Sequence, residues 1–307
     1  MDYRLKAAIG WGLSLVPAGR ALHSIVQRKV TKTLPMPEQD FADRCEIALQ
    51  HLHAVQQHLS GPLEKARFFE FGAGWDLIVP QVYFSAGVRH QHIVDLHRLV
   101  SPDLVEDANR RLRQIGAVTS TQTHKTRVSF ESLPDLRGKP LDAMLGELGI
   151  VYQAPADATN SGLPDASFDV VTSSLVLEHV PGPVIGAIFR EMFRIVRPGG
   201  VVSSSIDMSD HYSHADSAVA PWNFLRYGPA KWRLMNPPIL YQNRLRASEQ
   251  LDLIRASGLK IVSMLPRFVG SVESFEAIRP RFAEPYTGWA QADDLRTTQL
   301  HVVATRP

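Results

Sequence analysis

The stretch from Phe68 to Asp76, FFEFGAGWD, constrains the fold of this chain more than any other. An apolar run from Ala66 to Phe71 reads as a buried strand, and it ends on Gly72-Ala73-Gly74 with a helical pattern over 76–86 directly behind it. Glycine takes positive φ and has no Cβ, so such a turn lets backbone approach a ligand closely. Downstream, apolar runs at 91–95, 150–157, 168–174 and 201–206 read as strands, with helical patterns at 102–115 and 184–196 between them. Strands alternating with helices over this length argue for a parallel, doubly wound α/β sheet. A helix at 247–257, a strand at 259–266 and a closing strand at 300–306 complete it. The polar stretch 117–139 is left unassigned.

Upstream of the turn, Phe41, Cys45, Ile47, Leu49, Leu52, Val55 and Leu59 fall at mostly helical spacing over 40–59. With the segment before it, this makes residues 1–62 an N-terminal helical cap on a domain running from 63 to 307. The apolar run 7–16 has basic flanks and resembles a secretion signal, but it is too short for a bilayer, which needs about 20 residues. Pro17, Gly19 and Arg20 interrupt it without a clean cleavage site. Residues 1–30 are therefore read as a cap or homodimer element. Trp11 and the basic residues also allow peripheral membrane contact.

Composition narrows the partners. Lys plus Arg number 33 against 31 Asp plus Glu, so no domain-wide positive field exists and nucleic acid is a poor candidate. The single cysteine, Cys45, rules out an internal disulfide framework and a cysteine zinc cage, and it suits a reducing, cytoplasmic setting.

In open α/β sheets ligands collect beyond the carboxyl ends of the strands. Those ends carry Glu70 and the glycine turn, Asp95, Asp157-Ala158 and Ser173-Ser174. Asp95 stands about twenty residues past the glycines, where a carboxylate can take both ribose hydroxyls. A pyrophosphate would sit on the following helix start, yet that helix opens with Asp76 and Glu70 lies just before the turn. Two carboxylates repel a diphosphate but tolerate a ligand that carries an ammonium and a sulfonium.

Five stretches in order then carry a family likeness. Glu70-Phe71-Gly72-Ala73-Gly74, Asp95, Asp157-Ala158 with Leu163 to Val171, Leu177-Glu178-His179-Val180 and Arg197-Pro198-Gly199-Gly200 resemble the motifs of class I S-adenosylmethionine-dependent methyltransferases of the small-molecule type. The resemblance spans roughly 68–205 plus the terminal strands. It implies a Rossmann-like sheet of seven strands, six parallel and the last antiparallel, with S-adenosylmethionine as cofactor. It also implies cofactor contacts from Glu70, Gly72, Ala73, Gly74, Asp95, Leu96, Asp157, Ala158, Ser173 and His179. The family commonly has a third glycine where this chain has Asp76, so Asp76 is kept out of that set.

After the fifth strand, residues 207–246 are rich in Trp, Tyr, His, Arg and Asn and read as a lid over the substrate. His211 and His214 are the candidate bases, since imidazole can take a hydroxyl proton near neutrality. No further ligand is evident in sequence beside His211-x-x-His214, so no metal site is assigned. Trp222, Arg226, Tyr227 and Tyr241 are candidate substrate contacts, and arginines 233, 244 and 246 add positive charge. Tyr227 and Lys231 have the spacing of a dehydrogenase pair, but Pro229 between them opposes the helix that pair requires. The expected reaction is methyl transfer to a small molecule or glycan, most simply at a hydroxyl. Alternatives are N- or carboxyl-methylation, methylation of a lipid or quinone at a membrane, or a cofactor-binding scaffold without catalysis.

Overall fold

The computed structural model describes residues 2–17, 19–122 and 125–307. Small parts of two stretches discussed above, residues 1, 18, 123 and 124, lie outside the described residues. The strands are β1 (Arg67–Phe71), β2 (His90–Val94), β3 (Ala117–Thr119), β4 (Arg127–Ser129), β5 (Ile150–Gln153), β6 (Phe168–Ser174), β7 (Val196–Asp207), β8 (Lys260–Arg267) and β9 (Gln299–Thr305). Seven of them form one sheet in the order β5-β2-β1-β6-β7-β9-β8, while β3 and β4 pair as a separate hairpin within the unassigned polar stretch. Strands β5, β2, β1, β6 and β7 run parallel, and β9 pairs antiparallel with both β7 and β8. The sheet is therefore six strands in one direction and a reversed last strand, the Rossmann-like arrangement.

The helices are α1 (Tyr3–Ser14), α2 (Gly19–Lys29), α3 (Glu38–His58), α4 (Ile78–Ser85), α5 (Pro102–Ile115), α6 (Leu141–Glu147), α7 (Gly182–Ile195), α8 (Pro229–Met235), α9 (Ala247–Ala256), α10 (Val272–Ile278) and α11 (Ala292–Arg296). Successive strand residues face opposite sides of a sheet, and here the two faces fill two cores. Phe68, Val170 and Val201 pack with α3, α4 and α5 through residues such as Leu49, Val82 and Val105. Their neighbours Phe69, Val171 and Val202 pack with α7 and α9 through Phe189 and Leu251. The strand read as 150–157 stops at Gln153 because its partner β2 ends at Val94 and Pro155 has no N–H to extend the ladder.

Residues 1–62 do not form one cap. Phe41, Cys45, Ala48, Leu49, Leu52 and Val55 of α3 share a core with the sheet, so α3 is a layer of the sandwich itself. Helix α1 goes elsewhere. Trp11 Nε1 donates to the Leu234 carbonyl at 2.7 Å, and Gly10 lies so close to Pro237 and Leu240 that a Cβ there would collide with both side chains. Tyr3 packs on Tyr212 with ring centroids 5.8 Å apart.

A third core explains this docking. Ala7 of α1 meets Tyr212, Trp222, Phe224 and Trp232 from the expected lid and Phe275, Phe282 and Leu295 from residues 268–298. The sequence reading assigned nothing to 268–298. The segment expected as a lid thus shares an interior with two others, α1 and residues 268–298.

Two glycines three residues apart separate geometry from composition. Gly149 has φ +64°, and a Cβ there would collide with the Arg89 carbonyl, whereas Gly146 in α6 meets open space. Gly149→Ala should cost about 2–3 kcal/mol, and Gly146→Ala should stabilise by up to about 0.5 kcal/mol. Urea unfolding of both variants checks the pair; equal effects would contradict this geometry.

Candidate active site

The chain leaves β1 through Gly72 at φ +82° and Gly74 at φ +67°. A Cβ on Gly72 would run into the Val176 side chain, whereas one on Gly74 would stand in open space. Gly72 thus fixes the turn and Gly74 presents bare backbone. Helix α4 then begins at Ile78 rather than at Asp76, with Leu77 at φ +53° and the Asp76 carboxylate accepting from the Ile78 amide at 3.3 Å.

This turn borders a cleft of about 100 Å³ lined by Arg44, Glu70, Gly72, Ala73, Gly74, Asp76 and Ser174 among others. Glu70 is its most unusual group. Its Oε1 accepts from Ser174 Oγ at 3.3 Å, and its Oε2 is buried with no hydrogen-bond partner among the described residues. Burial pushes this carboxyl up to about 8, against the opposing pull of Ser174 and the Arg44 charge. Arg44 donates to the Ser174 carbonyl at 3.0 Å. It reaches the cleft from α3, and nothing in its sequence surroundings marked it.

The remaining candidates for cofactor contact fall into three groups. Asp95 accepts from the His97 amide at 3.0 Å; burial raises its pKa, and the amides of His97, Gly74 and Ala73 oppose that rise. Leu96 is exposed beside it, and Asp157 caps its own loop by accepting from the amide and hydroxyl of Thr159, both at 2.8 Å, next to Ala158. Ser173 faces away from the cleft, donating to Ser204 Oγ at 3.2 Å inside the sheet. Alternation along β6 puts Ser174 in the cleft instead.

Beyond Ser174 the ends of β6 and β7 bring together Glu178, His179, Asp207, His211 and His214. Asp207 Oδ1 accepts from the Ser209 amide at 2.8 Å and hydroxyl at 2.6 Å, and its Oδ2 lies 3.4 Å from Nε2 of both His211 and His214. The His179 and His211 ring centroids are 5.0 Å apart, and those of His211 and His214 5.2 Å. Burial opposes charge on His211, but Asp207 outweighs it and raises the pKa, with Glu178 and Asp210 adding. His214 is lowered by burial, which exceeds the opposing pull of Asp207. Burial and then the Asp207 charge push Glu178 up to about 8. Sequence reading did not bring Glu178 and Asp207 together, although Asp207 is itself a carboxylate at a strand end.

The four aromatic and arginine candidates do not converge on the cleft. Trp222 is fully buried in the lid, donating from Nε1 to the Arg296 carbonyl at 3.0 Å. Tyr227 is buried against Tyr3, the hydroxyls 3.1 Å apart, and Arg226 donates to Asn223 at 3.0 Å. Tyr241 touches the histidine cluster through its backbone carbonyl, which is 2.8 Å from His179 Nδ1. Arg246, fully buried, donates to the Met208 carbonyl at 3.0 Å and ties the lid to the end of β7.

Comparison with known proteins finds partial likenesses. Residues 135–204 match the family model described as a methyltransferase domain. The matched segment includes β5, β6 and α7, while the glycine turn lies outside it. Over 109 residues the chain is 29% identical to a Mycolicibacterium smegmatis protein named a probable S-adenosylmethionine-dependent methyltransferase. That match covers 36% of this chain and 35% of the relative, so the two correspond over about a third of their lengths. Among solved structures, an S-adenosylmethionine-dependent methyltransferase from Mesorhizobium loti is similar at 20% identity and a TM-score of 0.46, covering 83% of this chain and 96% of that one. Geranyl diphosphate C-methyltransferase from Streptomyces coelicolor A3(2) is similar at 11% identity and a TM-score of 0.45, covering 84% and 80%.

The buried Glu70 has a measurable signature. Its folded pKa lies above that of the unfolded chain, so the stability it contributes is present at acid pH and lost as pH rises through about 8. Glu70→Gln abolishes this loss. Relative to the natural protein, the variant should gain on the order of 4 kcal/mol in urea unfolding between pH 5 and pH 8, at 1.36 kcal/mol per unit. A difference independent of pH would mean that Glu70 is solvated.

Proposed function

We propose that the protein transfers the methyl group of S-adenosylmethionine to a hydroxyl of a small molecule or glycan. The observation that supports it best is Glu70 Oε2, a buried oxygen without a partner among the described residues, at the mouth of a bare glycine turn. An acceptor left unmade in this way is costly unless a ligand completes it, and an ammonium group does so with charge. The open space at Gly74 admits the ligand's chain against backbone. The residues present therefore fit this cofactor, which when bound supplies an electrophilic methyl on a sulfonium.

The protein's own groups divide the remaining work. In this reading Glu70 holds the ammonium, Arg44 the carboxylate of the methionine end, Asp95 and Leu96 the ribose, and Asp157 and Ala158 the adenine side. Asp76, whose carboxylate already accepts from the Ile78 amide just ahead of α4, disfavours a phosphate there. The lid excludes water, so that alignment of the acceptor oxygen supplies much of the rate. His214, kept neutral by burial, takes the hydroxyl proton, and Asp207 with His211 stabilises the charge that results. A cytoplasmic setting suits Cys45, whose thiol burial pushes up to about 12, leaving it inert. Among the described residues no helix is long and apolar enough to cross a membrane.

Incubation with methyl-labelled S-adenosylmethionine and a panel of polyhydroxylated acceptors tests the proposal. Label should appear as an O-methyl group. His214→Ala should lower turnover about a hundredfold with cofactor affinity changed less than threefold, while Arg44→Ala should weaken cofactor binding chiefly. Label on nitrogen or carboxylate alone would overturn hydroxyl specificity, and unchanged turnover in His214→Ala would remove it as the base.

A further inference from the structure

We propose that Glu178, His179 and His211 form a binding site for one divalent first-row transition metal ion, such as zinc, manganese or ferrous iron, at the carboxyl ends of β6 and β7. One ligand atom from each of these three side chains lies within 4.8 Å of the other two. Bond lengths near 2.1 Å set two ligands on opposite sides of one ion about 4.2 Å apart. The three groups therefore stand a small side-chain rotation from a shared ion.

Two further observations point to a ligand. Glu178 is only 2% exposed, and its Oε2 has no hydrogen-bond partner among the described residues. The tautomer of His179 is also fixed. A carbonyl only accepts, so Nδ1 of His179 must donate its proton to the Tyr241 carbonyl 2.8 Å away, which leaves a lone pair on Nε2. An imidazole oriented in this way by a backbone carbonyl is how proteins hold a metal-binding histidine.

Charge agrees with this assignment. Asp207, 6% exposed, stands 3.4 Å from His211 Nε2 and offers a fourth oxygen. A dication bound here would displace the protons of Glu178 and His211, and the two buried carboxylates would then balance its charge. A mixed nitrogen and oxygen set favours zinc, iron or manganese over calcium or magnesium, which take oxygen alone. The sequence shows only the His-x-x-His pair. The fold adds Glu178 and His179 from the far end of β6, and His214 stays outside the three-ligand set. An ion here lies a few residues beyond Ser174 of the cleft and can hold an acceptor oxygen. With His211 Nε2 on the metal, proton removal remains with His214.

The site stands whether or not the chain transfers methyl groups, and its test does not use activity. Tag-free protein stripped with a chelator is titrated with cobalt(II) alone and then with zinc alone. One equivalent of cobalt should give ligand-field bands in the visible, which zinc should displace. His179→Ala and His211→Ala should abolish the bands, and Glu178→Gln should weaken zinc at least tenfold, while His58→Ala should change nothing. Should an alanine variant fail to fold by circular dichroism, His179→Gln or His211→Asn replaces it. Absence of stoichiometric bands in the natural protein, or bands that survive the loss of either histidine in a folded variant, overturns the proposal.

Discussion

Everything around the cleft depends on the burial of the Glu70 carboxyl at the end of β1. It is not buried alone. Ser174 Oγ of β6 touches both Glu70 Oε1 and His51 Nε2 at 3.3 Å, His51 Nδ1 is 2.7 Å from Ser203 Oγ of β7, and Ser203 Oγ is 2.9 Å from His301 Nε2 of β9. A chain of small hydroxyls and imidazoles thus crosses four strands and α3. Burial keeps His51 well below the ordinary histidine range and lowers His301 to about 4, so both rings are neutral linkers. At Glu70 the network ends on an oxygen that no group among the described residues completes.

Apolar burial explains why α3 belongs to the sandwich. An amphipathic helix with Phe41, Cys45, Leu49 and Leu52 on one side needs a core to cover them, and the sheet face of Phe68 and Val201 provides it. The same packing delivers Arg44 and His51 to the site from residues far upstream of the glycine turn. Arg44 is the main positive charge acting on Glu70. Cleft electrostatics and the packing of α3 are one arrangement.

The sheet and the glycine turn were legible because local pattern fixes them. The apolar runs mark strands, Gly72 and Gly74 both take positive φ, and the reversed last strand follows from the family likeness. What could not be read were contacts between segments distant in sequence. Residues 268–298 have no periodicity of their own and acquire a core only against Trp222 and Phe224. Trp222 and Tyr227 looked like substrate contacts because aromatic composition alone does not distinguish a binding wall from the interior of a lid. Ser173 and Ser174 differ only by strand phase, which the pattern of a fully buried strand leaves ambiguous. Glu178 and Asp207 are single carboxylates in sequence and become a pair only where β6 and β7 end side by side.

The central claim is that this turn is built for a cationic cofactor and against a diphosphate. Calorimetric titration of the purified protein with S-adenosylmethionine and, separately, with NAD tests it most directly. The account predicts saturable, one-to-one binding of S-adenosylmethionine, with release of a proton at pH 7 as Glu70 ionises against the incoming ammonium, and no binding of NAD. Binding of NAD without S-adenosylmethionine would contradict it.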